Sequence, residues 1–399
     1  PASQSKQKLS MSTPEFNKIS RRRFAGGMAA IIGTLGLQPT LPVLGQATGP
    51  KAIAAGGRVP VGEYDSLTKL CFNENPYGPP KSVLDAMAGA LKFANRYMSP
   101  DGGILDAIAA LHGVGPEHIV LGAGSSEILD IVGTTFLAGG KKVVGVEPTF
   151  SAVYEHATGL KASAIRLPLR ADHRQDIPAM IKAAKDNHPE IGFVYLCNPN
   201  NPTGVIVTKD EVKQLLDGLP PEVPVLIDEA YHHFVEDPAY ATSVPYALEG
   251  RPVIVARTFS KIAALAGMRL GYAIAPPSLI LKMAPYANPM NVNILAKWAG
   301  ATALKDTPAL EATKKSIIQS RKKTAATLEA MGYAVVPSET NFFMVNIRRD
   351  VRPVIQAFRR DGILVGRPFP PMDEFLRVSV GTEPEMDRFM TSFKTIMKA

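Results

Sequence analysis

Three observations predict an α/β architecture: a mostly parallel central sheet with helices on both faces, beside a smaller α+β domain. Short, near-continuous apolar runs recur through the middle of the chain, helix-length segments separate them, and longer helices take over after Ala275. A strand buried on both faces reads as an unbroken apolar run, as parallel sheets require. At 399 residues the chain exceeds one ordinary core, so two domains are expected.

The apolar runs are His118 to Gly122, Lys142 to Val146, Gly192 to Cys197, Val223 to Ile227, Pro252 to Arg257 and Leu270 to Ala275. Helices are expected over Ser82 to Phe93, Ser125 to Leu137 and Lys209 to Leu216. Ala296 to Leu304 and Ala309 to Met331 then read as long helices, Asn341 to Ile347 as a strand, and Val351 to Asp361 as a helix. A last strand follows at Leu376 to Val380, with a terminal helix from Glu383. The expected division is a leader over 1–47, an arm and part of the small domain over 48–95, a large domain over 96–292, and a small domain over 293–399.

A formal charge of +8 invites a nucleic-acid or membrane partner, but its placement argues against both. Lys6, Lys8, Lys18, Arg21, Arg22 and Arg23 face Glu15 alone in the leader, which therefore holds five of the eight charges. With 46% hydrophobic and 20% charged residues, the remainder reads as a soluble globular chain. Ser20-Arg21-Arg22-Arg23-Phe24 precedes an apolar stretch from Ala25 to Leu37, and Gly45-Gln46-Ala47 offers small residues for cleavage. This leader resembles a bacterial twin-arginine signal peptide cut after Ala47, which implies a periplasmic protein exported already folded. A membrane anchor and a basic tail, with a cytoplasmic protein, are the alternatives. The stretch is interrupted by glycines and falls short of the ~20 apolar residues of a spanning helix, so stable insertion is not expected.

The two cysteines, Cys71 and Cys197, have no metal or redox spacing and are expected as buried thiols, with a bridge as the alternative in an oxidising compartment. None of the seven histidines has a ligand partner at suitable spacing, and His232 and His233 diverge as neighbours on any regular element. No metal is expected.

The chemistry concentrates at the ends of the apolar runs. Arg257-Thr258-Phe259-Ser260-Lys261 sets a lysine among hydroxyls, and Arg269 follows within Ala266-Gly267-Met268-Arg269-Leu270-Gly271-Tyr272. A lysine able to form a Schiff base, with hydroxyls and an arginine for a phosphate, suits a covalently held phosphate cofactor. A structural Ser-Lys pair at a strand end is the alternative. Gly122-Ala123-Gly124-Ser125-Ser126-Glu127 joins a strand to a helix, where free N–H groups favour a phosphate. Dinucleotide binding competes there, but Glu127 replaces the third glycine of that fingerprint. Asn198-Pro199-Asn200-Asn201-Pro202-Thr203-Gly204 forms a loop after one strand, and Asp228-Glu229-Ala230-Tyr231 follows another. Turn chemistry explains the first equally well, and a surface turn the second. A carboxylate at a buried strand tip is costly unless paired.

In order and spacing these strings resemble fold-type I pyridoxal-phosphate aminotransferases, and most closely their histidinol-phosphate aminotransferase branch. Asn73-Glu74-Asn75-Pro76-Tyr77-Gly78, Pro148-Thr149-Phe150, Pro337-Ser338-Glu339-Thr340-Asn341-Phe342 and Leu376-Arg377-Val378-Ser379-Val380-Gly381 complete the match, which covers roughly residues 65–395. The resemblance implies a homodimer that exchanges an amino group between a small-molecule donor and a 2-oxo acid. Lys261 would hold the cofactor aldehyde and then serve as general base and acid, Asp228 would pair with the pyridinium nitrogen, and Asn201 and Tyr231 would bond the ring's phenolate oxygen. Ser125, Ser126, Thr258, Ser260 and Arg269 would hold the phosphate, Tyr97 would reach in from the partner subunit, and Phe150 would stack on the ring. Tyr77, Asn201 and Arg377 would contact substrate, with Arg377 gripping its anionic group. Another chemistry on the same fold, a lyase or decarboxylase, and a non-catalytic exported binding protein are the other readings.

Three strings depart from the branch. Phe150 stands where tyrosine is frequent, Tyr97-Met98-Ser99-Pro100-Asp101 replaces a tighter Tyr-Pro turn, and Gly366-Arg367-Pro368-Phe369-Pro370-Pro371 replaces a shorter Val-Arg pattern. The last lies near the substrate side chain in the family. Histidinol phosphate, an aromatic amino acid and other amino acids therefore stand as equal candidate donors.

Overall fold

The computed structural model describes residues 61–398; the expected leader and most of the arm before Gly62 lie outside the described residues. After a short strand, β1 (Thr68–Leu70), seven strands make the main sheet: β2 (Ile119–Gly122), β3 (Lys142–Glu147), β4 (Ser163–Pro168), β5 (Ile191–Cys197), β6 (Val225–Asp228), β7 (Val253–Thr258) and β8 (Gly271–Ile274). Their spatial order is β2-β8-β7-β6-β5-β3-β4. Only β8 runs against its neighbours. Every residue of β5, β6 and β7 is buried, which accounts for their unbroken apolar sequences. β4 lies at the sheet edge with alternating exposure, and its Ser163 and Arg166 kept it from reading as a strand.

The reversal at β8 shapes the site. An antiparallel neighbour needs no helical crossover, so the connection from Thr258 to Gly271 stays at one edge of the sheet and carries Ser260, Lys261 and Arg269 there. Thr258 pairs with Gly271, and Gly271 with Gly122. At Gly271 a methyl group would lie 2.4 Å from the Ser125 nitrogen, so only glycine lets the strand approach the turn after β2 this closely. Cys197 pairs with Asp228, and Asp228 with Ala256. The carboxyl ends of β2, β5, β6 and β7 thus share one edge, where open α/β sheets place their ligands.

Both faces of the sheet are packed. Val144, Leu196, Ile227 and Val255 point into one cluster, whereas Phe193, Leu226, Ile254 and Ala273 point into the other. Helices Lys81–Ala90 and Ile294–Lys305 pack together and add Val83, Ala296 and Ala299 to the first cluster, so the large body draws on segments allotted from sequence to the small domain. The second body contains β9 (Ala334–Val336), β10 (Phe342–Asn346), β11 (Ile363–Val365) and β12 (Phe375–Ser379). Its antiparallel order is β12-β10-β9, and β11 pairs in parallel with β1, which ties the arm to the C-terminal third. Helices Val351–Arg360 and Glu383–Lys398 meet through Phe358 and Phe389, whose ring centroids are 5.2 Å apart. Each such buried ring contributes roughly 1.5–3 kcal/mol.

Candidate active site

The sheet's carboxyl edge gathers a cluster of charged and amide side chains against β12. Asp228, at the end of β6, is buried, and one of its oxygens accepts from the Ala230 N–H at 3.1 Å. Burial pushes its carboxyl up to about 6, against the opposing pull of that N–H and of the Lys261 charge. Lys261, half-buried, donates to the Phe72 carbonyl at 3.0 Å and sits 5.8 Å from the Tyr231 ring centroid. Burial, and then the charge of Arg377, holds its amine down to about 8, although Glu74 and Asp228 pull it upward. A lysine so shifted has a substantial neutral fraction near neutral pH, as a nucleophile or proton carrier needs.

Tyr231 is buried beside this amine, and its hydroxyl accepts from Asn73 Nδ2 at 3.0 Å and Asn201 Nδ2 at 3.4 Å. Desolvation raises its phenol above the ordinary range, so the hydroxyl stays neutral. Asn201 uses its other end on Arg377, whose Nη1 donates to Oδ1 at 2.7 Å. Arg377 also donates from Nη2 to the Cys71 carbonyl at 2.5 Å. Its Nε is buried with no partner among the described residues, and none of their carboxylates pairs with the guanidinium. Burial, with Arg367 nearby, lowers its pKa to about 10. A buried cation with a spare donor is costly unless an anion arrives, so the arrangement suits a carboxylate or phosphate.

Opposite Asp228, the turn after β2 leads into helix Ser125–Phe136 with no side-chain cap. Its free N–H groups point where Ser125 and Ser126 begin the helix. Gly124 has φ 84°, and a methyl group there would lie 2.2 Å from Arg269 Nη2. This position therefore needs glycine twice over, for its backbone and for the guanidinium against it. Thr258 Oγ1 accepts from the Ser260 N–H at 3.0 Å, and Arg269 Nη1 reaches Ser260 Oγ at 3.5 Å. Uncapped N–H groups, hydroxyls and a guanidinium around a glycine-lined turn fit a phosphate. A ring nitrogen fits Asp228 and an aldehyde fits Lys261, so the residues present match pyridoxal phosphate.

The structure thus brings Lys261, Asp228, Tyr231, Asn201 and Arg377 together, and sets Ser125, Ser126, Thr258, Ser260 and Arg269 around a second point. Phe150 is half-buried against the cluster that includes Ile128 and Cys197. Tyr77 is 47% exposed, and Tyr97 projects into solvent at 87% exposure. Cys71 and Cys197 are both free and buried. Among the described residues, no group of three or more His, Cys, Asp and Glu could hold a metal ion, and no helix is long and apolar enough to cross a membrane.

Sequence reasoning singled out no role for Asn73. This residue, at φ 55°, donates to Tyr231, exchanges hydrogen bonds with Ser379 and offers its carbonyl to Asn341 Nδ2 at 2.9 Å. An asparagine in a turn ahead of proline was the available signal, since Asn tolerates the left-handed region. Its partner lies 158 residues away, which no local pattern reports.

The fold and this edge define a fold-type I pyridoxal-phosphate transferase. The family model for "Aminotransferase class I and II" matches residues 65–393, and the chain belongs to that family. It is 37% identical to the histidinol-phosphate aminotransferase of Moorella thermoacetica over 83% of this chain and 86% of that one. A candidate histidinol-phosphate aminotransferase from Erwinia carotovora atroseptica has a similar structure, with TM-score 0.80 and 30% identity over 84% of this chain and 97% of that one. A histidinol-phosphate aminotransferase of Sinorhizobium meliloti, solved with pyridoxal 5'-phosphate, gives TM-score 0.78 and 25% identity over 86% and 96% of the two chains. The protein is a pyridoxal-phosphate-dependent aminotransferase.

Proposed function

We propose that this aminotransferase acts on an amino donor whose anionic group is held by Arg377, and that histidinol phosphate is the first donor to test. The observation that carries the first part is the buried guanidinium with Nε unpartnered. The second part rests on the activity named for relatives at 33–37% identity.

When bound, pyridoxal phosphate supplies an electron-poor ring that accepts the electron pair left at the substrate α-carbon. Lys261 would hold the aldehyde and would carry the proton to and from the substrate α-carbon. Asp228 would hold the ring nitrogen and keep a proton there, Tyr231 and Asn201 would bond the phenolate oxygen, and Phe150 would pack on the ring. Ser125, Ser126, Thr258, Ser260 and Arg269 would hold the phosphate. Tyr77 lies on the arm beside Asn75, whose Nδ2 donates to the Ile262 carbonyl at 2.9 Å, which ties the arm to the lysine loop.

A homodimer accompanies this reading. Tyr97 and Met98 are 87% and 93% exposed, close in sequence to exposed Leu91, and Tyr97 would complete the phosphate site of a second copy. Export by the twin-arginine route, with a periplasmic destination, is part of the proposal and is supported by Ser20-Arg21-Arg22-Arg23-Phe24. N-terminal sequencing of the protein from a periplasmic fraction should begin near Thr48, and an intact leader on cytoplasmic protein refutes export. Turnover of histidinol phosphate, phenylalanine and glutamate with 2-oxoglutarate decides the donor. Absence of histidinol phosphate turnover rejects that substrate.

A further inference from the structure

We propose that the buried Arg257–Glu229 ion pair is a positioning element for transamination, one that fixes the strand end carrying Asp228 against the strand end carrying Lys261. Glu229 follows Asp228 directly, and Arg257 precedes Thr258 at the end of β7. Alternation along the strands turns both side chains to the sheet face opposite Asp228, so the pair touches none of the groups assigned to cofactor or substrate.

The geometry is that of a staple. Arg257 donates from Nε at 3.1 Å and from Nη2 at 2.7 Å to the same Glu229 oxygen. The Glu229 N–H donates to the Ala256 carbonyl at 2.9 Å, so side chain and backbone both join the two strand ends. Arg257 also reaches Thr242 Oγ1 from Nη2 at 2.7 Å and His232 Nε2 from Nη1 at 2.5 Å. The Ser243 N–H donates to the other Glu229 oxygen at 2.7 Å, and Thr242 Oγ1 to the first at 2.8 Å. His232 follows Tyr231, so the network grips the chain just beyond Asp228, just before Thr258 and just after Tyr231.

Stability alone does not explain such a pair. Both side chains are almost fully buried, at 4% and 0% exposure. At such sites well-packed apolar residues are often as stable as a buried ion pair or more so. What a planar guanidinium adds is direction, because its donors fix angle as well as distance. A displacement of about 1 Å between reacting groups can cost about 100-fold in rate, so a device that holds two strand ends in register acts on catalysis without touching substrate.

This inference rests on the roles assigned to Lys261 and Asp228. The test uses protein loaded with pyridoxal phosphate, as wild type, as the charge-free double variant Glu229→Leu with Arg257→Met, and as Arg257→Lys. The double variant removes both charges together, which leaves neither one buried alone. Its melting temperature should fall by several degrees, because the Ser243 N–H and Thr242 hydroxyl lose their partner, while the folded variant's kcat falls about 10- to 100-fold, with KM nearly unchanged. The pH midpoint of the bound cofactor's visible absorbance should shift, and Arg257→Lys should recover part of both losses. A folded double variant with wild-type kcat and absorbance midpoint overturns the proposal, as does Arg257→Lys with wild-type values should the double variant fail to fold. Wild-type protein that binds no pyridoxal phosphate refutes the underlying site assignment instead.

Discussion

Replacing Lys261 by methionine tests the electrostatics of the site separately from its chemistry. Burial and Arg377 lower the amine from about 10.5 to about 8, so in cofactor-stripped protein the native state binds fewer protons than the unfolded chain across that interval. Stability then rises with pH from about 8 to about 10.5. Below pH 8 the full penalty applies, about 3 kcal/mol for an amine lowered from about 10.5 to about 8. Methionine has similar length and no charge, so the variant escapes this cost. It also loses the cation that draws Asp228 downward, which returns part of the gain. The net expectation is about 1–2 kcal/mol in favour of Lys261→Met at pH 7. Urea unfolding of the stripped proteins at pH 7 and pH 10.5 measures it, provided the slope with denaturant is common to both. The gap should close at the higher pH. A variant less stable at pH 7, or a gap unchanged at pH 10.5, refutes the account of a desolvated, like-charged lysine. In loaded protein the same substitution should abolish activity.

The other assignments separate by what each substitution spares. Arg377→Lys should weaken substrate binding about 10- to 100-fold, the worth of one charge-assisted contact, while cofactor absorbance is retained; steady-state KM reads this, and unchanged KM rejects the substrate role. Arg269→Ala should instead weaken pyridoxal phosphate itself by a similar factor, measured by fluorescence titration. Asn73→Ala removes a donor from the buried Tyr231 hydroxyl and should cost about 1–3 kcal/mol of stability by thermal unfolding. Tyr97→Phe should lower cofactor affinity only where sedimentation shows a dimer, because the hydroxyl is exposed on the isolated chain.

Those residues most open to sequence reading stand where local pattern and function coincide. Lys261, Asp228 and Asn201 each follow an apolar run, and a chemistry-bearing residue directly after a buried strand lands at the sheet edge whatever the strand order. The reversal of β8, which puts Arg269 beside the turn after β2, is not a local property. Neither are β1 and β11, three residues each, which exist as strands only because they pair with one another. Asn73 belongs to the same class. Its contacts show why the site cannot be divided by segment: Arg377 donates to Asn201, Asn201 donates to Tyr231, and Asn73 donates to the same hydroxyl. Because the Asn201 amide has its oxygen committed to Arg377 and its nitrogen to Tyr231, its orientation is fixed by both partners at once. Arg377 and the Tyr231 hydroxyl are thereby joined through one amide, a link that exists only after the arm, the main sheet and β12 have come together.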